Sequence, residues 1–297
     1  MLGAAAPVSA IPLVGAELAK FSVLSGGYVT YGANTNFSGE VGAMSYITDG
    51  ADSTSAGNRI NTAGVKDAHG ELTVAKNALT KMGRGTELLA TMGGEMVLGS
   101  GVYSASALTT AAGTVLTLDG ENMNNPFWVF NIDTHLVTGA STTIKLINAG
   151  KNASVVWNTG SYVTIGASTS LLGAVMSGAY ISLGDSAQLN CGNLYAASYV
   201  TTTAGLNATS SKCAGVGTWA GSEFGLGSGL DIVDGTAQPR QAQSANASAA
   251  AEPVPEPGTI PMLLLGLGLI GVLGVSRKAA LRRCANNALP RKTAEPV

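Results

Sequence analysis

Four short segments of this chain repeat one pattern at nearly regular intervals. They begin at Leu136, Val163, Ile181 and Val200, which are 27, 18 and 19 residues apart. A repeat of about twenty residues that contains strand-forming residues is typical of a solenoid, in which each repeat forms one coil and stacks on the next. The pattern therefore predicts a mainly β chain wound into stacked coils of three short strands.

Apolar alternation assigns a direction to the side chains of these strands. Successive side chains point to opposite faces, so Val163, Ile165, Ile181, Leu183 and Val200 are predicted to point into the core. Their neighbours form an outward row, which is the first candidate binding face: Tyr162, Thr164, Tyr180, Ser182, Tyr199 and Thr201. Segments at 142–147, 169–173, 187–191 and 206–210 supply a second candidate face: Thr143, Ser170, Gln188 and Asn207. A third row of strands is expected at 127–131, 155–158, 175–177 and 194–196.

Residues 65–82 have the spacing of a helix instead. Ala68, Leu72, Ala75, Leu79 and Met82 recur every three or four residues and form one narrow apolar stripe. The glycines at 83 and 85 end the pattern. We expect this helix to pack against a flat surface, with its charged residues on the solvated faces: Lys66, Glu71, Lys76 and Lys81.

The C-terminal part of the chain has the features of a sorting signal. Pro255, Glu256 and Pro257 precede an apolar run at 260–275, and a basic cluster follows it at 277–283. A helix over that run is just long enough for a short membrane span, and the basic residues favour a cytoplasmic end. Near the other end, the small residues of Val8-Ser9-Ala10 are typical of a signal-peptide cleavage site, which implies a true start upstream of Met1.

These patterns divide the chain into five parts. We expect a signal-peptide remnant at 1–10, the solenoid at 11–220, a flexible linker at 221–254, the sorting signal with its membrane helix at 255–283, and a basic tail at 284–297. The linker is predicted from a run of Gly, Ser, Ala, Gln and Asn that has little to bury.

Two parts of the chain resemble known families. The tail resembles the PEP-CTERM sorting signal, which implies processing by an exosortase-type enzyme and delivery to the cell surface. The body resembles the ice-binding-like family in these segments: 13–15, 21–26, 101–103, 116–120, 128–132, 155–157 and 192–196. That resemblance implies a discontinuous right-handed β-helix with one long α-helix alongside it.

Composition and scattered acidic residues argue against several other functions. The formal net charge is -2, so no electrostatic case exists for nucleic-acid binding. Asp119, Glu121, Asp133 and Asp185 do not share one face, and His69 reads as a solvated helix residue and His135 as a surface residue. We therefore expect no catalysis, no cofactor and no metal. The acidic turns at 119–122 and 231–235 could hold calcium, although such turns are more often ordinary ones.

The cysteines leave two readings open. Cys191 and Cys213 lie near the last coils, and in an oxidising compartment they are expected to lie close enough for a disulfide. Equally, both could be small buried apolar residues.

The outward rows also leave two functions open. A flat, weakly charged threonine row suits ice, because stacked strands repeat about every 4.8 Å, which is close to the repeat spacings of ice. The tyrosines beside that row suit carbohydrate stacking, which favours a non-enzymatic adhesin or a matrix protein that holds extracellular polysaccharide. A simpler explanation is that threonine merely favours strands.

Overall fold

A computed structural model describes residues 10–149, 153–209 and 229–240. Its main body is wound from parallel strands in three sheets, as the repeat predicts. All neighbouring strands within these three sheets are parallel, because each strand pairs with its equivalent in the next coil.

The first sheet carries the helix on its outer face and is called the helix sheet. Its nine strands are, in spatial order, β7 (Asn58–Ile60), β5 (Glu40–Ala43), β2 (Phe21–Ser25), β23 (Leu194–Ala196), β20 (Ala174–Ser177), β17 (Ser154–Thr159), β14 (Phe127–Ile132), β11 (Gly101–Ala105) and β8 (Thr86–Glu87).

The second is called the threonine sheet. Its eight strands are β6 (Ile47–Thr48), β3 (Val29–Tyr31), β24 (Val200–Thr202), β21 (Ile181–Leu183), β18 (Val163–Ile165), β15 (Leu136–Val137), β12 (Leu108–Thr110) and β9 (Thr91–Met92).

The seven strands of the third sheet are β4 (Asn36–Phe37), β25 (Asn207–Thr209), β22 (Gln188–Asn190), β19 (Ser170–Leu172), β16 (Thr143–Ile147), β13 (Val115–Asp119) and β10 (Glu95–Leu98). A small antiparallel sheet is formed by β1 (Ile11–Pro12), β26 (Leu230–Val233) and β27 (Thr236–Pro239).

The stacking order of the coils differs from their order in the chain. Coils built from residues 86–209 stack in sequence, and the coil of β23 and β24 then meets β2 and β3 from the start of the chain. Residues 40–60 add the last coil at that end. The α-helix, α1 (Ala63–Thr80), connects this end of the stack to the other. The discontinuous arrangement implied by the family resemblance is thus present.

Strand alternation places the core where the sequence predicts it. Val163, Ile165, Ile181, Leu183 and Val200 are all buried. Leu136, Val163, Ile181 and Val200 pair in one register, so the repeat intervals were read correctly. Several of the largest buried side chains, among them Trp128, Phe130 and Trp157, lie in the helix sheet, and Phe130 stacks on Trp157 with ring centroids 3.9 Å apart.

The predicted helix is present with slightly different ends. It begins two residues earlier than predicted, where the Thr62 hydroxyl accepts a hydrogen bond from the Val65 N–H. Val65, Ala68, Leu72, Ala75 and Leu79 are buried against the helix sheet. The small alanines let the helix approach the sheet closely.

Two charged residues of the helix are not solvated as predicted. The Lys76 ammonium donates to Asn158 Oδ1 at 2.8 Å, to the Thr159 carbonyl at 2.7 Å and to the Met176 carbonyl at 3.0 Å. Burial lowers the pKa of Lys76 to about 8. Glu71 turns inward as well, and its carboxylate accepts a hydrogen bond from the Leu18 N–H at 2.7 Å. The sequence gives no sign of these contacts because their partners lie more than fifty residues away in the chain.

One of the two histidines differs from the prediction. His69 Nε2 is buried without a hydrogen-bond partner. The His135 ring stacks on Tyr162, with centroids 4.9 Å apart. His135 is thus partly exposed at the surface, whereas His69 Nε2 is not solvated.

Part of the predicted linker is folded. Residues 230–239 form the hairpin of β26 and β27, whose Leu230, Ile232 and Ala237 are buried against the helix. Asp231 binds the Arg240 guanidinium through both carboxylate oxygens, so this acidic segment is a strand and not an open calcium loop. Asp119 Oδ1 accepts hydrogen bonds from the Glu121 N–H and the Asn148 amide, as in an ordinary turn.

Several predictions fall outside the described residues. These are the signal-peptide remnant up to residue 9, the rest of the linker, the Pro255-Glu256-Pro257 motif, the apolar run at 260–275, and Cys213. Cys191 is disulfide-bonded, but its pairing with Cys213 stays a prediction. Within residues 10–149, 153–209 and 229–240, no helix combines the length and apolar character needed to cross a membrane.

Candidate binding face

The threonine sheet presents one column of hydroxyl side chains along its whole length. Strand register places Thr164, Ser182 and Thr201 side by side, as predicted. The same column continues through both ends of the sheet, and its members in spatial order are Thr91, Thr109, Val137, Thr164, Ser182, Thr201, Thr30 and Thr48. Seven of its eight positions therefore carry a hydroxyl, and Val137 is the exception.

Small residues flank this column on one side. Gly139, Gly166, Gly184, Gly32 and Gly50 each lie two residues after a member of the column. A Cβ on Gly166 would come within 2.7 Å of Ala140 N and Gly139 C, and the other glycines are equally crowded by the neighbouring coil. At these five positions the coils stack too closely for a side chain, whereas Thr203, two residues after Thr201, is exposed.

Threonines, of which Thr138 and Thr142 are buried, bind the turn between the threonine sheet and the third sheet from inside. The Gly166 N–H donates to Thr138 Oγ1 at 2.9 Å, and the Gly139 N–H donates to Thr110 Oγ1 at 3.0 Å. Thr142 Oγ1 donates to the Gly139 carbonyl at 2.8 Å. Part of the threonine content of the chain thus serves the core, where hydroxyls satisfy backbone groups that water cannot reach.

Aromatic rings flank the hydroxyl column on its other side. Six rings stack in one ladder, with centroids 4.9–5.1 Å apart and planes within 6° of parallel: His135, Tyr162, Tyr180, Tyr199, Tyr28 and Tyr46. This spacing measures the rise from one coil to the next. Each interior ring has both faces covered by its neighbours, so the ladder offers edges and hydroxyls to a ligand, while the Tyr46 ring has its outer face uncovered by this ladder.

No Lys, Arg, Asp or Glu lies in the hydroxyl column, the glycine column or the aromatic ladder. Desolvation raises the pKa of Tyr199, and the hydroxyls of Tyr180 and Tyr28 raise it further. The phenol of Tyr199 therefore stays neutral to a higher pH than an ordinary tyrosine does. The result is a rigid, flat and uncharged surface with a regular repeat.

The second candidate row is also brought together by the fold, but its chemistry is mixed. Thr143, Ser170, Gln188 and Asn207 lie in one register in the third sheet. The column continues to Val115 and Glu95 at one end and to Asn36 at the other. Lys145 lies on the same exposed face, in the strand that begins with Thr143. This sheet lacks the uniform column seen on the threonine sheet.

The sequence pattern predicts three members of the hydroxyl column and does not identify the other four. It also missed Tyr28, Tyr46 and His135 in the aromatic ladder. A recognisable signal was present, since Tyr28-Val29-Thr30-Tyr31-Gly32 and Tyr46-Ile47-Thr48-Asp49-Gly50 repeat the pattern of Tyr162-Val163-Thr164-Ile165-Gly166. Those segments lie more than eighty residues before the recognised repeats, and only the discontinuous stacking order joins them.

These features define a class of protein: a parallel β-solenoid with one long helix along one sheet and a flat, uncharged, hydroxyl-bearing sheet exposed. The chain belongs to the ice-binding-like family, whose model matches residues 50–205. Residues 253–278 match the PEP-CTERM protein-sorting motif.

Solved structures share this fold. The ice-binding protein of the Antarctic ascomycete Antarctomyces psychrotrophicus is 30% identical, with a TM-score of 0.59 over 68% of this chain and 98% of that one. A domain of an ice-binding protein of Shewanella frigidimarina is 21% identical, with a TM-score of 0.57 over 69% of this chain and 98% of that one, and it supports the fold alone.

Sequence relatives are similar over a shorter stretch. Ice-binding protein 1 of Shewanella frigidimarina is 32% identical over 104 residues, which are 35% of this chain and 12% of the relative. An ice-binding protein of Nostoc sp. is 32% identical over 103 residues, which are 35% of this chain and 38% of the relative. The chain thus spans well under half the length of either curated relative.

Proposed function

We propose that this protein binds ice crystals through the threonine sheet after export from the cell. The single observation that carries the proposal is the hydroxyl column, in which seven of the eight strands of that sheet carry a hydroxyl and none carries a charge. Threonine offers a methyl group and a hydroxyl, which order water without strong hydration. A regular row of them on a rigid surface suits an ordered lattice, and the relatives named as ice-binding proteins support the same ligand.

Export and processing complete the proposal. The match to the PEP-CTERM motif supports recognition by an exosortase-type enzyme near Pro255, Glu256 and Pro257. We infer transient anchoring in the membrane through the apolar run at 260–275, followed by release to the cell surface or the extracellular space. Mass spectrometry of the native protein should then find neither end of the chain intact.

The polysaccharide alternative receives less support from the geometry. Sugar rings stack on exposed aromatic faces, and the interior rings of the ladder have both faces covered. Adhesion to a glycan would have to use ring edges or the outer face of Tyr46. Glycan binding is therefore an alternative result of the experiment that follows.

Two matched lysine substitutions in one coil test the proposed face. Thr164→Lys places a long charged side chain on the hydroxyl column, and Ser170→Lys places one on the third sheet of the same coil. Both positions are partly exposed, so each change should alter the free energy of unfolding by about 0.5 kcal/mol or less. Thermal hysteresis and inhibition of ice recrystallisation should fall to background in Thr164→Lys and persist in Ser170→Lys.

Other results would redirect the proposal. Activity that survives Thr164→Lys but is lost in Ser170→Lys would move the site to the third sheet. No hysteresis in the unmodified protein, together with glycan binding that Tyr46→Ala abolishes, would favour the adhesin function.

A further inference from the structure

The tyrosines of the aromatic ladder differ from the other tyrosines of the chain. The hydroxyls of Tyr31, Tyr103 and Tyr195 each have a hydrogen-bond partner in the protein, and all three side chains are buried. Within the described residues, no such partner is found for the phenol oxygens of the ladder: Tyr28, Tyr46, Tyr162, Tyr180 and Tyr199. What these five side chains share is therefore the stacking of their rings and not a hydrogen bond.

This stacking is regular enough to act as a path for an electron. From Tyr180 through Tyr199 and Tyr28 to Tyr46, neighbouring ring centroids lie 4.9–5.0 Å apart and the planes deviate by at most 1°. The rate of electron transfer between π systems falls steeply with their separation, and each step here is one coil. Because the phenols are chemically identical, a radical formed on one ring moves to the next with almost no change in free energy.

The two ends of the ladder differ in their access to solvent. At one end, the His135 ring covers the outer face of Tyr162, with centroids 4.9 Å apart. At the other end, the threonine sheet finishes with β6, directly after Tyr46, so no further coil continues the ladder. Tyr46 is 49% exposed, and its outer ring face is uncovered by the ladder. Among the ladder tyrosines, Tyr46 is therefore the one whose ring a second molecule can reach face-on.

We propose that a radical formed anywhere in the tyrosine ladder is passed from ring to ring to Tyr46, where two copies of the chain become joined by a dityrosine link. The tyrosines of the ladder thus collect oxidising equivalents, and Tyr46 is the site of covalent modification. The inference does not depend on ice as the ligand, because the ring stacking and the exposure of Tyr46 carry it.

The reaction needs a one-electron oxidant from outside the protein. In each chain one phenol gives an electron to that oxidant and its hydroxyl proton to water, which leaves a radical that settles on Tyr46. Two such rings then form one carbon–carbon bond between their Cε atoms. The hydrogens on those two carbons move to the phenol oxygens, so both rings become phenols again. In total, two electrons reach the oxidant and two protons reach water.

Coupling inside the ladder is opposed by the strands that hold it. A carbon–carbon single bond is about 1.5 Å long, whereas the Tyr28 and Tyr46 centroids are 4.9 Å apart. The residues that follow them are paired in register, Val29 with Ile47. A bond between the two rings would have to distort this pairing. Joining two chains through Tyr46 distorts neither, and since each chain offers one such ring, the product is a dimer.

Light-driven oxidation of the full-length protein tests the site. Tris(bipyridine)ruthenium(II) with persulfate supplies a one-electron oxidant on illumination, and a brief exposure keeps oxidation below one electron per chain. We expect a covalent dimer that resists reducing agents, the fluorescence of dityrosine, and a linked peptide that joins Tyr46 to Tyr46 in mass spectrometry. Tyr46→Phe still covers the Tyr28 ring but cannot form the link, so the dimer should be lost.

Two further phenylalanine substitutions separate transfer along the ladder from simple exposure of Tyr46. Phenylalanine stacks as tyrosine does but is much harder to oxidise. Tyr28→Phe therefore isolates Tyr46 from the other ladder tyrosines and should lower the dimer yield several-fold. Tyr162→Phe is the matched control, because it removes only the most distant tyrosine and should lower the yield slightly. Circular dichroism and melting curves establish that each variant is folded.

Three results would overturn the proposal. A dimer linked through another residue, or no dimer at high protein concentration, would remove Tyr46 as the site. Dityrosine found within the monomer, between two rings of one ladder, would show that coupling occurs inside the stack. Equal dimer yields from the unmodified protein and from Tyr28→Phe would show that Tyr46 is oxidised directly and that the ladder passes nothing to it.

Discussion

The threonine sheet and the third sheet are built from the same coils, yet their exposed surfaces differ. Both sheets are parallel, both have an outward column in register, and both face solvent. Seven of eight positions in the threonine sheet's column carry a hydroxyl. The equivalent column of the third sheet runs through Glu95, Val115, Thr143, Ser170, Gln188, Asn207 and Asn36.

This difference separates strand preference from ligand recognition. If threonine were present only because it favours strands, both columns would hold it equally, since both occupy partly exposed strand positions. Threonine is instead concentrated on one sheet, beside a glycine column and an aromatic ladder. We infer that the sequence repeats two properties of this one surface from coil to coil, its flat shape and its lack of charge.

The largest expected effect comes from a substitution that makes the surface of the threonine sheet less flat. In Gly166→Val, the Cβ would lie 2.7 Å from backbone atoms of the neighbouring coil, so the coils must separate locally. Overpacking of this kind costs about 1–3 kcal/mol in the free energy of unfolding. Urea denaturation should show that loss, and hysteresis should fall by more than the loss of folded protein explains. Ala167→Val, at the exposed next residue, is the matched control and should change neither quantity appreciably.

The aromatic ladder gives a somewhat smaller effect. Tyr180 stacks on Tyr162 at 5.1 Å and on Tyr199 at 4.9 Å, so Tyr180→Ala removes two ring pairs. Each such pair is worth about 0.5–1.5 kcal/mol. Tyr46→Ala removes one pair and should cost about half as much in thermal denaturation. Equal losses would mean that the rings act singly and that the ladder does not stiffen the edge of the threonine sheet.

A change on the helix sheet should leave both exposed faces intact. Lys76→Met removes the ammonium that bridges the helix to Asn158, Thr159 and Met176, and unsatisfied buried acceptors cost about 1–3 kcal/mol. Stability should fall while hysteresis per folded molecule stays constant. A drop in specific activity would show that helix docking shapes the threonine sheet.

The lowered pKa of Lys76 predicts how the free energy of unfolding depends on pH. Its pKa is lowered to about 8 in the folded chain, below the ordinary value of 10.5, so the unfolded chain binds more protons between those values. The free energy of unfolding of the unmodified protein should therefore rise relative to Lys76→Met as pH increases from about 8 towards 10. Urea titrations of both proteins at pH 7.5 and 9.5 measure this, and a constant difference would contradict it.

Completing the hydroxyl column should give the smallest effect. Val137 is the one position of the column without a hydroxyl, and it is partly exposed. Val137→Thr should leave stability within about 0.5 kcal/mol and raise hysteresis slightly. Ser170→Thr on the third sheet is the control, and an equal gain there would remove the distinction between the two sheets.

Much of this arrangement follows from local sequence. Alternation at Val163, Ile165 and Ile181 fixes which side chains face the core, and the helical spacing of Ala68, Leu72 and Ala75 identifies the stripe that packs on the sheet. Such patterns arise because each element must bury one face, and that requirement acts within a few residues.

Long-range partners could not be predicted in the same way. Lys76 reads as a surface lysine in the sequence because its acceptors lie on β17 and β20, more than eighty residues later in the chain. The hairpin at 230–239 reads as part of a linker because its few apolar residues become buried only once the helix is in place. Thr30 and Thr48 join the hydroxyl column only through the discontinuity between β24 and β3.

That discontinuity also governs when the domain can fold. Ser25 donates a hydrogen bond to the Ser198 carbonyl, and Asn193 donates one to the Phe21 carbonyl, across separations of 173 and 172 residues. The N-terminal coils pair with one another, but their pairing with the rest of the solenoid requires the coil at 194–209. Contacts this distant raise the contact order and slow folding, because a long loop must close first. A chain with this topology assembles after its whole solenoid is available, which is compatible with crossing a membrane unfolded and maturing on the far side.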